Sequence, residues 1–139
     1  MGYLVKSMRA GQVVSITVHA ETDMAELERR MLADGIYISV VSREGKKTRI
    51  SARAPSGTSI ALAEVEALSG CLALGRATGE QIVISIRPDA VPQDALACFV
   101  RDGVMVGLGS GTAMQAVLRV KAPMGLLVLR EELVEKQVR

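Results

Sequence analysis

Two hydrophobic periods alternate along this chain, and the alternation happens twice. Tyr3–Lys6 and Val13–Val18 are short runs rich in β-branched residues with Gly11 between them, which predicts two strands joined by a turn. The period then changes. Met24, Leu27, Met31 and Leu32 fall at helical spacing with Glu26, Glu28, Arg29 and Arg30 between them, the signature of an amphipathic helix. Thr22 or Asp23 can cap its start, and Asp34-Gly35 ends it. Ile36–Ser42 reads as a strand, Arg43–Lys47 as a charged turn and Thr48–Arg53 as an alternating strand. An Ala54-Pro55 turn and a strand at Ile60 close the unit.

The order then begins again. A gapless shift of 68 residues superposes Gly2 on Gly70, Leu4 on Leu72, Gly11 on Gly79 and Ile16 on Ile84. It also superposes Asp34-Gly35 on Asp102-Gly103, Ser42 on Ser110, Ala54-Pro55 on Ala122-Pro123, Gly57 on Gly125 and Glu64 on Glu132. Most of these are turn positions, where the residue type has a backbone reason. The helical segment recurs as Gln93–Asp102, with Pro92 in its first turn. The expected fold is mainly β with inserted helices (α+β), built from two repeats, 1–68 and 69–139. Leu68-Ser69-Gly70 is too short for a flexible tether, so the repeats should dock on one another. A unit of about 68 residues buries little surface alone, and pairing supplies the missing core.

Composition narrows the function. Hydrophobic residues make up 49% of the 139, which predicts a packed core rather than disorder. Aromatic residues are 2%, namely Tyr3, Tyr37 and Phe99, which argues against recognition by rows of aromatic platforms. The net charge of +2 means that any basic surface is local. Cys71 and Cys98 lack metal-ligand spacing and read as free thiols of a reducing cytoplasm. There is no transmembrane candidate and no evident signal peptide, so a cytoplasmic protein is expected. His19 stands without a nucleophile or ligand set, and the helix carboxylates interleave with Arg29 and Arg30 as a solvated face. Gly107-Leu-Gly-Ser-Gly-Thr112 invites comparison with a phosphate-cradling loop, but its counterpart Ser39–Glu44 is a strand and no Walker lysine follows. No enzyme, cofactor or metal is expected.

Two basic features remain. Lys46, Lys47, Arg49 and Arg53 could form a phosphate track on one strand face, or an ordinary charged hairpin. Val128-Leu129-Arg130-Glu131-Glu132 ends an apolar run with one guanidinium where a strand reaches water, and Leu62 holds that place in the first repeat.

The second half shows Leu72-Ala-Leu-Gly-Arg76, Gly79-Glu80-Gln-Ile82, Arg119-Val-Lys-Ala122-Pro123 and Val128-Leu-Arg130-Glu131-Glu132. The first shows Ser7, Arg9, Gly11 and Ala54-Pro55. In this each half resembles the CsrA/Rsm family of carbon storage regulators, small bacterial proteins that control translation. The helix between second and third strands looks like the RsmN (RsmF) branch. The resemblance implies a homodimer of interlocked strands with two RNA sites at its edges, binding GGA-containing hairpin loops of messenger leaders or small RNAs. Two copies in one chain would make an intramolecular pseudo-dimer, with further self-association left open. The arginine after the last strand is the family's main RNA contact; it is Arg130 here, led by Val128 and Leu129, and is missing at Leu62. Of the arginines closing the first strand, Arg9 and Arg76 remain, while Met8 and Ala77 replace their neighbours. The turn residues Lys46 and Lys47 stand where the family has Gly-Asn-Gln. If first and last strands meet across protomers, one site joins Ser7, Arg9 and Arg130, and the other joins Arg76 with Leu62. An RNA-binding regulator with one competent site is therefore expected. The alternative is a degenerate paralogue that works through protein contacts.

Overall fold

Reach and chain direction explain how this chain builds two sheets at once. A computed structural model describes residues 2–44, 47–64, 72–109 and 116–130. From residues 2–64 come β1 (Gly2–Met8), β2 (Gln12–Val18), α1 (Met24–Ala33), β3 (Ile36–Glu44), β4 (Lys47–Ala54) and β5 (Thr58–Glu64). From residues 72–130 come β6 (Leu72–Arg76), β7 (Gln81–Ile86), α2 (Pro92–Asp102), β8 (Val104–Gly109), β9 (Ala116–Lys121) and β10 (Leu126–Arg130). The architecture is mainly β with two helices, as the periodicity predicts. Strand β3 runs on to Glu44, past the expected start of the charged turn, and a bulge between Val40 and Ser42 turns Val41 out to solvent.

The strands form two antiparallel five-stranded sheets, β1-β4-β3-β7-β10 and β5-β2-β8-β9-β6. Each sheet therefore takes three strands from one half of the chain and two from the other. Exchanging β1–β5 for β6–β10 in turn converts each order into the other read backwards. The halves are stitched where β3 pairs with β7, Ile36 opposite Ile84, and where β2 pairs with β8, Ile16 opposite Val104. Backbone contacts recur with the same offset. Gly11 N–H donates to Leu108 O at 2.9 Å and Gly79 N–H to Val40 O at 2.8 Å, each crossing between halves. His19 N–H donates to Gly57 O and Arg87 N–H to Gly125 O, both at 2.8 Å.

The core lies between the sheets. Val14, Ile16, Ile38, Val40, Ile50, Ile82, Ile84, Val106 and Leu118 face inward from strands of both, as period-2 alternation requires. The helices cross from sheet to sheet and add Leu27 and Met31, then Leu96 and Phe99, to that one core. Asp23 caps α1, its carboxylate accepting from the Ala25 and Glu26 N–H groups at 3.0 and 3.3 Å. Thr22, the other cap candidate, instead donates its hydroxyl to Gly57 O at 2.8 Å. Helix α2 starts on Pro92 without a side-chain cap.

Each helix ends on a glycine pressed against the other half. Gly35 has φ +76, and a Cβ there would lie 2.5 Å from the Ile84 carbonyl oxygen. Gly103 has φ +72, and its Cβ would lie 2.9 Å from Ile16 O. No side chain fits either place. Gly35→Ala combines a left-handed backbone with a clash against main chain, at an expected cost of about 2–4 kcal/mol. Chemical denaturation should show the loss as a lower midpoint with an unchanged m-value. Division of the chain after Leu68 strands β7 and β10 away from β3, and β2 and β5 away from β8. Full-length protein should unfold in one cooperative transition, while residues 1–68 or 69–139 expressed alone should aggregate or self-associate. Two separate melting transitions, each kept by its isolated half, would contradict this.

Candidate nucleic-acid interface

The pleat sorts the candidate side chains into three places. Strand β4 alternates except at Ser51, which is buried like its neighbours. Thr48, Ile50, Ala52 and Ala54 are buried inward, and Lys47, Arg49 and Arg53 are exposed on the outward face of the first sheet. Across that face Ser7 on β1 and Ser42 on β3 both stand in register with Arg49, and Glu44 stands opposite Lys47. Together these residues line a shallow recess of about 140 Å³. Further along, the Arg53 guanidinium sits over the Tyr37 ring, 4.6 Å from its centroid. Lys47 thus opens a basic strand face, as its spacing suggests; Lys46 lies outside the described residues.

Edge strand β1 carries Ser7 and leads to Arg9, both exposed. The Arg9 N–H donates to Gln12 Oε1 at 2.8 Å, which fixes the turn but leaves the guanidinium unused by that bond. Strand β1 lies against β5 of the other sheet, from the same half of the chain. Leu62 there occupies an inward position opposite Val14 yet is 38% exposed, because β5 is an edge.

Edge strand β10 carries Val128, Leu129 and Arg130. Leu126 and Val128 pack toward the core, Leu129 is half-buried on the outward face, and the Arg130 backbone pairs with Ile82 of β7. The Arg130 side chain lies outside the described structure. The expected grouping of Ser7 and Arg9 with Arg130 does not follow from this sheet. Strands β1 and β10 are its opposite edges, with β4, β3 and β7 between them. The neighbour of β1 across the gap between sheets is its own half's β5.

Arg76 is corrected more sharply. Its register partner on β9 is the buried Ala116, so it points inward, and only 4% of it is exposed. Its Nε–H donates to Gly75 O at 2.9 Å, and Nη1 lies 3.7 Å from Glu80 Oε2. A guanidinium so enclosed cannot reach a ligand without opening the fold; it holds the β6–β7 turn instead, where Glu80 also accepts from Ala77 N–H at 2.7 Å. Met8, its counterpart, is fully buried.

The second sheet's outward face differs. Arg119 and Lys121 are exposed on β9, but Gly107 and Gly109 stand beside them on β8 and Ala73 on β6. Gly107 and Gly109 belong to a paired strand and Ala116 begins another, so the glycine-rich stretch is no loop opening a helix as far as Gly109; Ser110–Thr112 lie outside the described residues. Arg53 and Tyr37 were individually legible, but their stacking was not, because it depends on the register of β3 with β4. Among the described residues no cluster of His, Cys, Asp and Glu suits a metal, Cys98 is a free half-buried thiol, and no helix is long and apolar enough to cross a membrane. Neither the known protein-family models nor the curated proteins include a match to this chain.

Proposed function

We propose that this chain is a duplicated, helix-inserted CsrA/Rsm-like regulator that binds RNA and controls translation. Its two repeats, 1–68 and 69–139, serve as the two protomers of a covalent pseudo-dimer. The observation that carries the reading is the strand order. Each sheet takes two strands at one end from the other half, β7 and β10 in the first sheet and β5 and β2 in the second, which is the interlocking that the family resemblance leads one to expect of two separate chains. The paired backbone contacts offset by 68 residues support the same view.

In this reading Arg130, at the end of edge strand β10, anchors a GGA-containing hairpin loop. A guanidinium gives two parallel hydrogen bonds to guanine O6 and N7, or to a phosphate, and an edge strand leaves room for a loop to approach. Val128 and Leu129 fix its place by pairing with Ile84 and Val83. The other repeat has Leu62 at this point, so one hairpin binds per chain. Occupying such a motif beside a ribosome-binding site would block initiation without a cofactor.

A second reading, a protein-binding paralogue, draws on the exposure of Val5 (40%) and Leu62 (38%) on the neighbouring strands β1 and β5. A titration separates the two. Wild-type protein should shift a GGA hairpin and not a scrambled loop, saturating at one RNA per chain. Arg130→Ala should weaken specific binding by about 1–3 kcal/mol, and Leu62→Ala should leave affinity nearly unchanged. Equal binding by Arg130→Ala, or two hairpins of equal affinity per chain, would remove the one-site reading. Absence of any hairpin binding at low salt would favour the protein partner.

A further inference from the structure

We infer that the outward face of the first sheet, along β4, is a separate track for single-stranded RNA flanking the hairpin; this rests on the RNA-binding reading above. Four observations converge there. Lys47, Arg49 and Arg53 project from one face of one strand, about 6.8 Å apart where they are two residues apart, because each residue rises about 3.4 Å. Between and beside them stand the serines Ser7, Ser39, Ser42 and the buried Ser51, with Ser39 Oγ donating to Gln81 Oε1 at 2.8 Å, and the exposed Val5 opposite Ser51 is the apolar member of the same face. Small hydroxyl side chains let a strand lie close while offering partners to sugar and base edges. Glu44 is the one carboxylate on that face among the described residues, against three cations.

The fourth observation selects the kind of nucleic acid. Arg53 is exposed, and its guanidinium carbon lies over the Tyr37 ring at 4.6 Å from the centroid, so an aromatic ring and a guanidinium stand together on the open face. A guanidinium plane is a stacking surface for an unpaired base, and a base within a duplex cannot use it. The second sheet cannot copy this arrangement. The place of Tyr37 is taken there by Met105, which pairs with Lys121, and the Arg119 stem lies down over Gly109, where a Cβ would be 3.2 Å from its Cδ. The track and the Arg130 edge are on the same sheet. Strand β10 and β4 are three strand spacings apart, about 14 Å, so a few nucleotides connect them.

The test compares a bare GGA hairpin with the same hairpin carrying a single-stranded extension of about eight unstructured nucleotides, by fluorescence anisotropy over a salt series. The extension should tighten binding by wild-type protein about tenfold. Arg49→Ala/Arg53→Ala should bind the bare hairpin as wild type does, lose the extension's gain, and flatten the salt slope by about 0.7 per phosphate contact removed. Arg53→Lys, which keeps the charge but not the plane, should lose part of the gain. An extension that brings no gain, or a gain that survives the double substitution in protein of unchanged melting temperature, overturns the track. The outcomes separate it from the hairpin reading. If no hairpin loop is preferred over a scrambled one, yet unstructured RNA binds through Arg49 and Arg53, the GGA reading falls and the track stands. A gain given equally by a double-stranded extension would make the face a general polyanion surface and overturn the single-strand assignment.

Discussion

Two cross-pairings, β3 with β7 and β2 with β8, are the constraint on which the rest of this molecule depends. A central strand needs a partner on each side, and its own half supplies only one, β4 for β3 and β5 for β2. The helix between them is the reason. The ten residues of α1 carry the chain about 15 Å, enough to move it from one sheet to the other. Once that crossing is made, β3 must find β7 nearly fifty residues away, at a real cost in loop closure. The glycines that end the helices make the crossing tight. Gly35 abuts the Ile84 carbonyl on β7, and Gly103 abuts the Ile16 carbonyl on β2, so the turn that closes each helix is shaped by the strand of the opposite half.

The same pleat that seals the core decides which basic residues are available for chemistry. Arg76 and Met8 hold equivalent positions inside the two sheets, and both are buried. A methionine there needs only space. An arginine must be desolvated, and the Gly75 carbonyl and the Glu80 carboxylate offset part of that cost. Glu80 also accepts from the Ala77 N–H, so one carboxylate serves both the turn and the buried cation. Arg49 and Arg53, one strand face away from Ile50 and Ala52, meet no such requirement and stay in water. Charge alone therefore says little about function in this chain. Face decides it.

Much of this was legible in the residues, and the parts that were not share a cause. Glycine and proline positions specify turns locally, so Gly11, Gly35, Gly57 and their partners at 79, 103 and 125, each with positive φ, could be read before any fold was known. Helix α1 announced itself through Leu27 and Met31 four residues apart, and Asp23 was one of two cap candidates. The neighbours of an edge strand were not legible. That β1 abuts β5, and not β10, depends on how two sheets stack, and no short-range pattern encodes it. Arg76 was misread for a related reason. A five-residue strand at a sheet edge gives too little alternation to say which side is inward, and the register with Ala116 settles it only in three dimensions.

The two sheets have the same strand count and unlike outward faces. Two identical protomers must present identical faces, so a substitution that suits one side is imposed on the other. Here the outward faces differ. One carries Arg49, Arg53 and Tyr37 above a floor of serines, and the other carries Gly107, Gly109 and Ala73 beside Arg119 and Lys121. The inward positions are alike in kind, since Ile16 and Ile84, or Val14 and Ile82, answer one packing requirement from both sheets. Core positions are held together because each half completes the other. Outward positions carry no such requirement. Under the RNA-binding proposal, a single extended strand, which has one direction and two unlike ends, would meet two unlike faces here, where a symmetric dimer would offer it the same face twice.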